Sequence, residues 1–200
     1  EFLIDLDQAG GEHGILFLEA NPRLQVEHTV TEEVLGLDLV RIQLQLAAGH
    51  TLAELSLQQD MIPSPQGSAV QLRINMETMD AGGRSLPTGG TLDTFNPPGG
   101  PGVRVDTFAY PGYQTVARFD SLLAKLIVTT GNADFGTLLG RARRAAGEFD
   151  IVGVDTNLPF LCQLLSHPAV AANEVTTRFI ATHIDELLPA AGPGASEQVE

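Results

Sequence analysis

The sequence predicts an α+β fold in which a mainly antiparallel sheet is flanked by helices. Three observations predict it. From Ser68 onward the apolar residues recur with period two, as on strands with one buried face. A single long stretch, Phe135 to Phe149, recurs instead with helical period. Ahead of both, the first twenty residues hold two short apolar runs around a Gly10-Gly11 turn.

The elements follow in order. Residues 1–6 and 14–20 read as two strands, the second a buried-strand run, Ile15-Leu16-Phe17-Leu18, that stops at Glu19-Ala-Asn21-Pro22-Arg23. Thr29-Val-Thr-Glu32 has the form of a capping box and starts a short helix that Gly36 ends. Asp38 caps a second helix carrying Leu39, Ile42 and Leu46, with Gly49 just past its end. Residues 52–57 form a turn, and Pro63 and Pro65 break the chain. Val70, Leu72, Ile74 and Met76 then alternate with Gln71, Arg73 and Asn75 in a strand. Residues 80–102 are rich in Gly and Pro and leave room for one strand, 91–95. Strands follow at 103–109 and 121–130. The long helix places Phe135, Leu138, Leu139, Ala142, Ala146 and Phe149 on one stripe, with Arg141, Arg143 and Arg144 off it as a solvated face or a subunit contact. A strand at 151–154, a helix that Asn157 caps and that runs to residue 165, and a last helix at 182–188 complete the pattern. Residues 189–200 read as a linker or frayed tail.

Composition narrows the function. Hydrophobic residues make up 43% and charged residues 18%, enough apolar material for a core and too little charge for a disordered chain. A formal charge of −14 argues against a basic nucleic-acid face or docking on anionic lipid. The apolar runs are far shorter than the roughly 20 residues that span a bilayer. One cysteine, Cys162, excludes an internal disulfide and points to a reducing, cytoplasmic setting. A start on a strand-like run without Met is expected of a piece of a longer protein. Lys125 is the only lysine, so a phosphate-handling chain of this kind is expected to draw cations from elsewhere.

The chemistry concentrates in Glu19–Glu32, EANPRLQVEHTVTE. An extended chain would put Glu19, Asn21, Arg23, Gln25 and Glu27 on one side. Carboxylates, an amide and a guanidinium in one place suit a hard cation with an anionic substrate, and Mg²⁺ favours such oxygens together with phosphates. The plain alternative is a solvated charge run at a strand end.

That run resembles the signature of the biotin carboxylase family, the ATP-grasp ligases that carboxylate biotin: F-[IL]-E-x-N-x-R-[LIV]-Q-V-E-H-x-V-T-E against FLEANPRLQVEHTVTE here. Further stretches are similar to the family's in the same order: QLRIN at 71–75, GGPGVRVDTFAYPGY at 99–113, FDSLLAKL at 119–126, GVDTN at 153–157 and TRFI at 177–180. Thr29 stands in place of a frequent Pro, and Met76-Glu77-Thr78-Met79 in place of A-E-D. The resemblance implies that residues 1–66 are the truncated end of an ATP-grasp domain and 67–188 the biotin carboxylase C-terminal domain. It implies ATP, Mg²⁺ or Mn²⁺, carrier-bound biotin, and bicarbonate as substrate. Implied partners are a biotin carboxyl carrier domain and a carboxyltransferase, with a homodimer in the intact enzyme. By the same resemblance Glu1, Glu19 and Asn21 hold metal, and Glu27 is the general base. Arg23, Gln25 and the Val26 backbone bind bicarbonate, and Arg104 stabilises the biotin enolate. The chain alone is expected to be inactive, because the lid and the phosphate-gripping lysines of the family lie upstream. The readings set against this one are a non-catalytic structural or subunit-contact module and another ATP-grasp ligase such as a carbamoyl-phosphate synthase.

Residues outside the signature receive modest expectations. Lys125 braces the site or a dimer contact, and Cys162 packs as a small core residue. His13, His50, His167 and His183 are scattered without ligand spacing, which argues against a metal centre built from them.

Overall fold

The computed structural model describes residues 1–5, 14–115, 120–131 and 134–188. The Gly10-Gly11 turn, His13, Phe119 and the 189–200 tail lie outside them. The elements are β1 (Phe2–Ile4), β2 (Ile15–Phe17), α1 (His28–Leu35), α2 (Leu39–Ala47), β3 (Ser68–Asn75), β4 (Glu77–Met79), β5 (Ser85–Pro87), β6 (Thr94–Asn96), β7 (Val103–Thr107), β8 (Leu122–Thr130), α3 (Phe135–Gly147), β9 (Asp150–Val152), α4 (Leu158–Ser166), α5 (Pro168–Ala171), α6 (Phe179–Thr182) and α7 (Ile184–Leu187). The fold is α+β, and every strand pair is antiparallel.

The centre is the sheet β3-β8-β7, with β8 in the middle. Residues paired directly across an antiparallel ladder share a face. Leu72 and Ile74 of β3 therefore lie with Leu126 and Ala124 of β8 and with Val105 of β7, and α3 covers them through Leu138, Leu139, Ala142, Ala145 and Ala146. Asp134 caps α3 by accepting from the Thr137 N–H. The opposite face is polar. The register sets Arg73 against Lys125 and Lys125 against Asp106, with Arg104 against Ile127. Helix α1 packs on this side, against β3 and β8. A single alternating sheet thus holds the apolar core on one face and a row of charges on the other.

Several expectations are corrected. The Ile15–Leu18 run is exposed: Phe2, Ile4, Ile15 and Phe17 each show more than half of their surface. β1 and β2 form a two-stranded ribbon, and among the described residues no third strand joins it. The capping box does not form. Helix α1 starts at His28 with Glu27 at its N-cap and no side-chain cap. Thr29 lies inside the helix, fully buried, and its hydroxyl donates to Gln71 Oε1. Glu32 turns to other donors, the Leu39 N–H at 2.9 Å and Arg104. The Gly/Pro-rich region holds two strands where one was expected: β5, which pairs with β4 just ahead of the region, and β6. The last helix is two four-residue helices, α6 and α7, and α5 is additional. Gly36 does end α1, in the left-handed region at φ 66°, and Asp38 does cap α2.

Candidate functional site

The strand β2 ends at Phe17, and the chain that follows wraps the end of the ribbon so that its polar side chains meet Glu1. Asn21 Nδ2 donates to Glu19 Oε1 at 2.8 Å and to Glu1 Oε1 at 3.3 Å. Gln25 Nε2 donates to the same Glu1 oxygen at 2.9 Å. Two carboxylates that would repel are thus drawn onto one amide. Glu1, Asn21, Arg23, Gln25, Glu27 and His28 line an open cleft of about 410 Å³, closed on its far side by Leu39 and Gln43 of α2. Arg23 makes one long hydrogen bond, 3.3 Å to Leu24 O, and no ion pair among the described residues. His28 sits at the start of α1 with Nδ1 2.7 Å from Gln25 O, which ties the loop to the helix.

Glu27 reaches from the cleft toward the sheet. Its Oε2 accepts from Arg73 Nη2 at 2.8 Å, and both side chains are about half exposed. Arg73 is thereby brought into the site, although sequence reasoning gave it no role. The signal available was its place in QLRIN, as the one cation of the alternating β3 strand.

Arg104 lies elsewhere. Its guanidinium binds Asp106 through two bonds, Nε–Oδ1 2.8 Å and Nη2–Oδ2 3.0 Å. It also donates to Glu32 at 2.9 Å and to Glu33 at 3.2 Å. Lys125 Nζ stands 3.2 Å from Asp106 Oδ2. The hydrogen bonds that Arg104 donates, to Asp106 first and then to Glu32 and Glu33, hold its pKa well above its ordinary value. For Asp106, burial alone would raise the carboxyl pKa; hydrogen bonds from Arg104 and Lys125 outweigh it and keep the group below the ordinary range. Arg104 is not among the residues lining the Glu1–Glu27 cleft, and three carboxylates occupy its donors.

The donor set of Glu1, Glu19 and Asn21 fits a hard divalent cation once the Asn21 amide, whose nitrogen now faces both carboxylates, turns its oxygen to the ion. Cys162 packs half-buried against the core, and burial pushes its thiol pKa up, as expected of an inert residue. Arg141 is not simply a solvated residue; it donates to Thr129 O at 2.7 Å. No helix among the described residues is long and apolar enough to cross a membrane.

Comparison with known proteins adds a family. Residues 71–182 match the Biotin carboxylase C-terminal domain, and residues 1–55 match the Carbamoyl-phosphate synthase L chain, ATP binding domain. The chain is 39% identical to Biotin carboxylase 1 of Bacillus subtilis over 183 residues, covering 92% of this chain and 38% of that protein. It is 45% identical to the Biotin-dependent acyl-coenzyme A carboxylase alpha3 subunit of Mycobacterium leprae, covering 86% of this chain and 28% of that one. Among solved structures it is similar to the biotin carboxylase domain dimer of Hydrogenobacter thermophilus 2-oxoglutarate carboxylase, in complex with MgADP, ADP and bicarbonate. That match has TM-score 0.80 and 34% identity, and covers 90% of this chain and 38% of that one. The chain therefore spans less than two-fifths of each of these relatives.

Proposed function

The chain belongs to the biotin carboxylase C-terminal domain family, and on that premise we propose that it forms the later part of an ATP-dependent ligase that carboxylates carrier-bound biotin with bicarbonate. Residues 1–66 are assigned to the end of the ATP-grasp domain and 67–188 to the C-terminal domain. The observation that carries the reading is the Glu27–Arg73 pair at 2.8 Å, which joins the two parts at the edge of a cleft holding the other signature side chains. Matches on both sides of residue 66 support a carboxylase over a carbamoyl-phosphate synthase, whose family matches only residues 1–55.

Each residue then has a task. Glu1, Glu19 and Asn21 hold Mg²⁺ or Mn²⁺, which when bound neutralises charge on the ATP phosphates. The uncommitted Arg23 guanidinium, the Gln25 amide and the Val26 N–H hold bicarbonate, a planar anion that a guanidinium fork matches. Glu27 takes the bicarbonate proton, so that the freed oxygen attacks the γ-phosphoryl group. ADP leaves, and the carboxyphosphate formed breaks down to CO₂ and phosphate. The phosphate removes the proton from biotin N1, and N1 attacks CO₂. Arg73 steadies the Glu27 carboxylate and is the cation at hand for negative charge developing on biotin. Arg104, on the same face of the sheet, is retained as the residue that stabilises the biotin enolate, as the resemblance implies. A carrier domain, a carboxyltransferase and a homodimer are the partners proposed for the whole enzyme, in a cytoplasmic setting that suits the lone cysteine.

The test uses the full-length enzyme. Removing a general base costs about 10²–10⁴-fold, so Glu27→Gln should lower bicarbonate-dependent ATP hydrolysis by at least about 100-fold. Arg73→Ala should lower biotin carboxylation while leaving the KM for ATP within a few-fold. Near-normal turnover in Glu27→Gln would refute the assignment.

A further inference from the structure

Outside the cleft, the short helices at the end of the chain bring His167 together with His183 and Glu186, a pair three residues apart on the following turn. His167 closes α4 and caps α5, while His183 and Glu186 flank the junction of α6 and α7. His167 Nε2 stands 3.3 Å from Glu186 Oε2, and one ligand atom from each of the three residues lies within 4.8 Å of the others. We propose that His167, His183 and Glu186 form a binding site for a divalent transition metal of the zinc class.

Three features support it beyond proximity. The donor set is right: two imidazoles and one carboxylate suit zinc, whereas Mg²⁺ and Ca²⁺ prefer oxygen alone. The spacing of one pair is right. Ligand bonds of about 2.0 Å in a tetrahedron place neighbouring ligand atoms about 3.3 Å apart, which is the His167–Glu186 distance already present. His183 also keeps a ring nitrogen for an ion. Its Nδ1 stands 3.0 Å from Phe179 O, a carbonyl that can only accept, so Nδ1 carries the proton and Nε2 keeps a free lone pair. Stacking on Phe179, with ring centroids 4.5 Å apart, fixes the plane of that ring. His167 is nearly buried, with 11% of its side chain exposed, whereas Glu186 is exposed and free to swing onto an ion.

One interaction opposes binding. The Ala169 N–H donates to His167 Nδ1 at 3.2 Å, which places the His167 proton on Nε2, toward Glu186. Coordination through Nε2 moves that proton to Nδ1 and gives up the bond to Ala169. The site therefore exchanges a long cap bond for a metal bond, and a water completes the tetrahedron. Its role is structural: one ion ties α4 and α5 to α6 and α7, two helices of four residues each.

The intact protein, stripped with a chelator, is titrated with zinc chloride by calorimetry and, in parallel, with cobalt. Saturable uptake in the micromolar range is expected, with the visible absorption bands of tetrahedral cobalt and a rise in Tm. Glu186→Gln and His183→Phe should each weaken uptake at least about tenfold, whereas Asp60→Asn, which removes an exposed carboxylate outside both sites, should not. Zinc should also shift the Ala169 amide resonance, a change that a purely structural His–Glu pair would not produce. No uptake up to about 0.1 mM zinc, or uptake unchanged in both variants, would overturn the proposal. Glu186 is exposed, so its variant should fold and the comparison remains decisive.

Discussion

Arg73 and Arg104 are both arginines on the polar face of the same sheet, and their neighbours set them apart. Among the described residues the Arg73 side chain has one partner, the half-exposed Glu27, so it keeps donors for a substrate. Arg104 spends its donors on Asp106, Glu32 and Glu33. Glu32 is only 8% exposed, so its charge relies on that guanidinium and on the Leu39 N–H. Removing one member of a buried pair strands the other, at about 3–5 kcal/mol when burial is complete. Arg104 is itself 36% exposed and water can reach it, so a smaller cost, roughly 1–3 kcal/mol, is expected for Arg104→Ala. Urea denaturation should show the loss as a lower midpoint. Arg104→Lys should recover little of it, because an ammonium cannot reproduce the two-bond fork onto Asp106. A midpoint within error of the parent would mean that this cluster is held by something other than Arg104.

At the scale of elements, α1 is where local pattern and tertiary structure part. Thr29 and Glu32 satisfy the capping-box spacing, yet both side chains are drawn to the sheet, Thr29 to Gln71 and Glu32 to Arg104. Thr29→Val keeps the shape but takes the donor from the half-buried Gln71 amide oxygen, a loss of about 1 kcal/mol. The helix should be retained in circular dichroism while Tm falls. A fraying α1 with unchanged Tm would restore the capping reading. The same contrast explains what was legible in the sequence. β3, β8 and α3 repeat one period for many residues, so β3 and α3 begin where their patterns do, at Ser68 and Phe135, and β8 falls one residue inside its expected span. β4, β5, α5, α6 and α7 are three or four residues long, too short to show any period, and β5 even ends on Pro87. In the site, the Glu19–Asn21 contact was legible because the two residues are close in sequence, whereas Glu1 joins them through the pairing of β1 with β2. The pairing of Glu27 with Arg73 spans 46 residues and depends on how α1 lands on the sheet, which no local pattern encodes.

On the scale of the whole chain, two kinds of contact hold the parts together, and pH should separate them. The face of the sheet toward α3 is apolar, from Leu72 and Ile74 to Leu126 and Val128, and has nothing to titrate. The face toward α1 is held by Glu27–Arg73, by Arg104 with Glu32, Glu33 and Asp106, and by the part-buried Thr29–Gln71 contact. Asp106 has a folded pKa below its unfolded value, because its bonds to Arg104 and Lys125 outweigh burial. Its contribution is therefore complete above the unfolded value, about 3.9, and is lost as pH falls through the lower folded value. Acid should thus loosen the α1 side first. Hydrogen exchange followed from pH 7 downward should show α1 amides losing protection below about pH 4, while amides of β8 and α3 remain protected. Asp106→Asn should remove much of this pH dependence and weaken the α1 side already at pH 7, since an amide lacks the charge that Arg104 and Lys125 pair with. Simultaneous loss of protection in α1 and α3 at every pH would show instead that the charged face and the apolar core form one cooperative unit, and that the carboxylates at this seam do not set its acid limit.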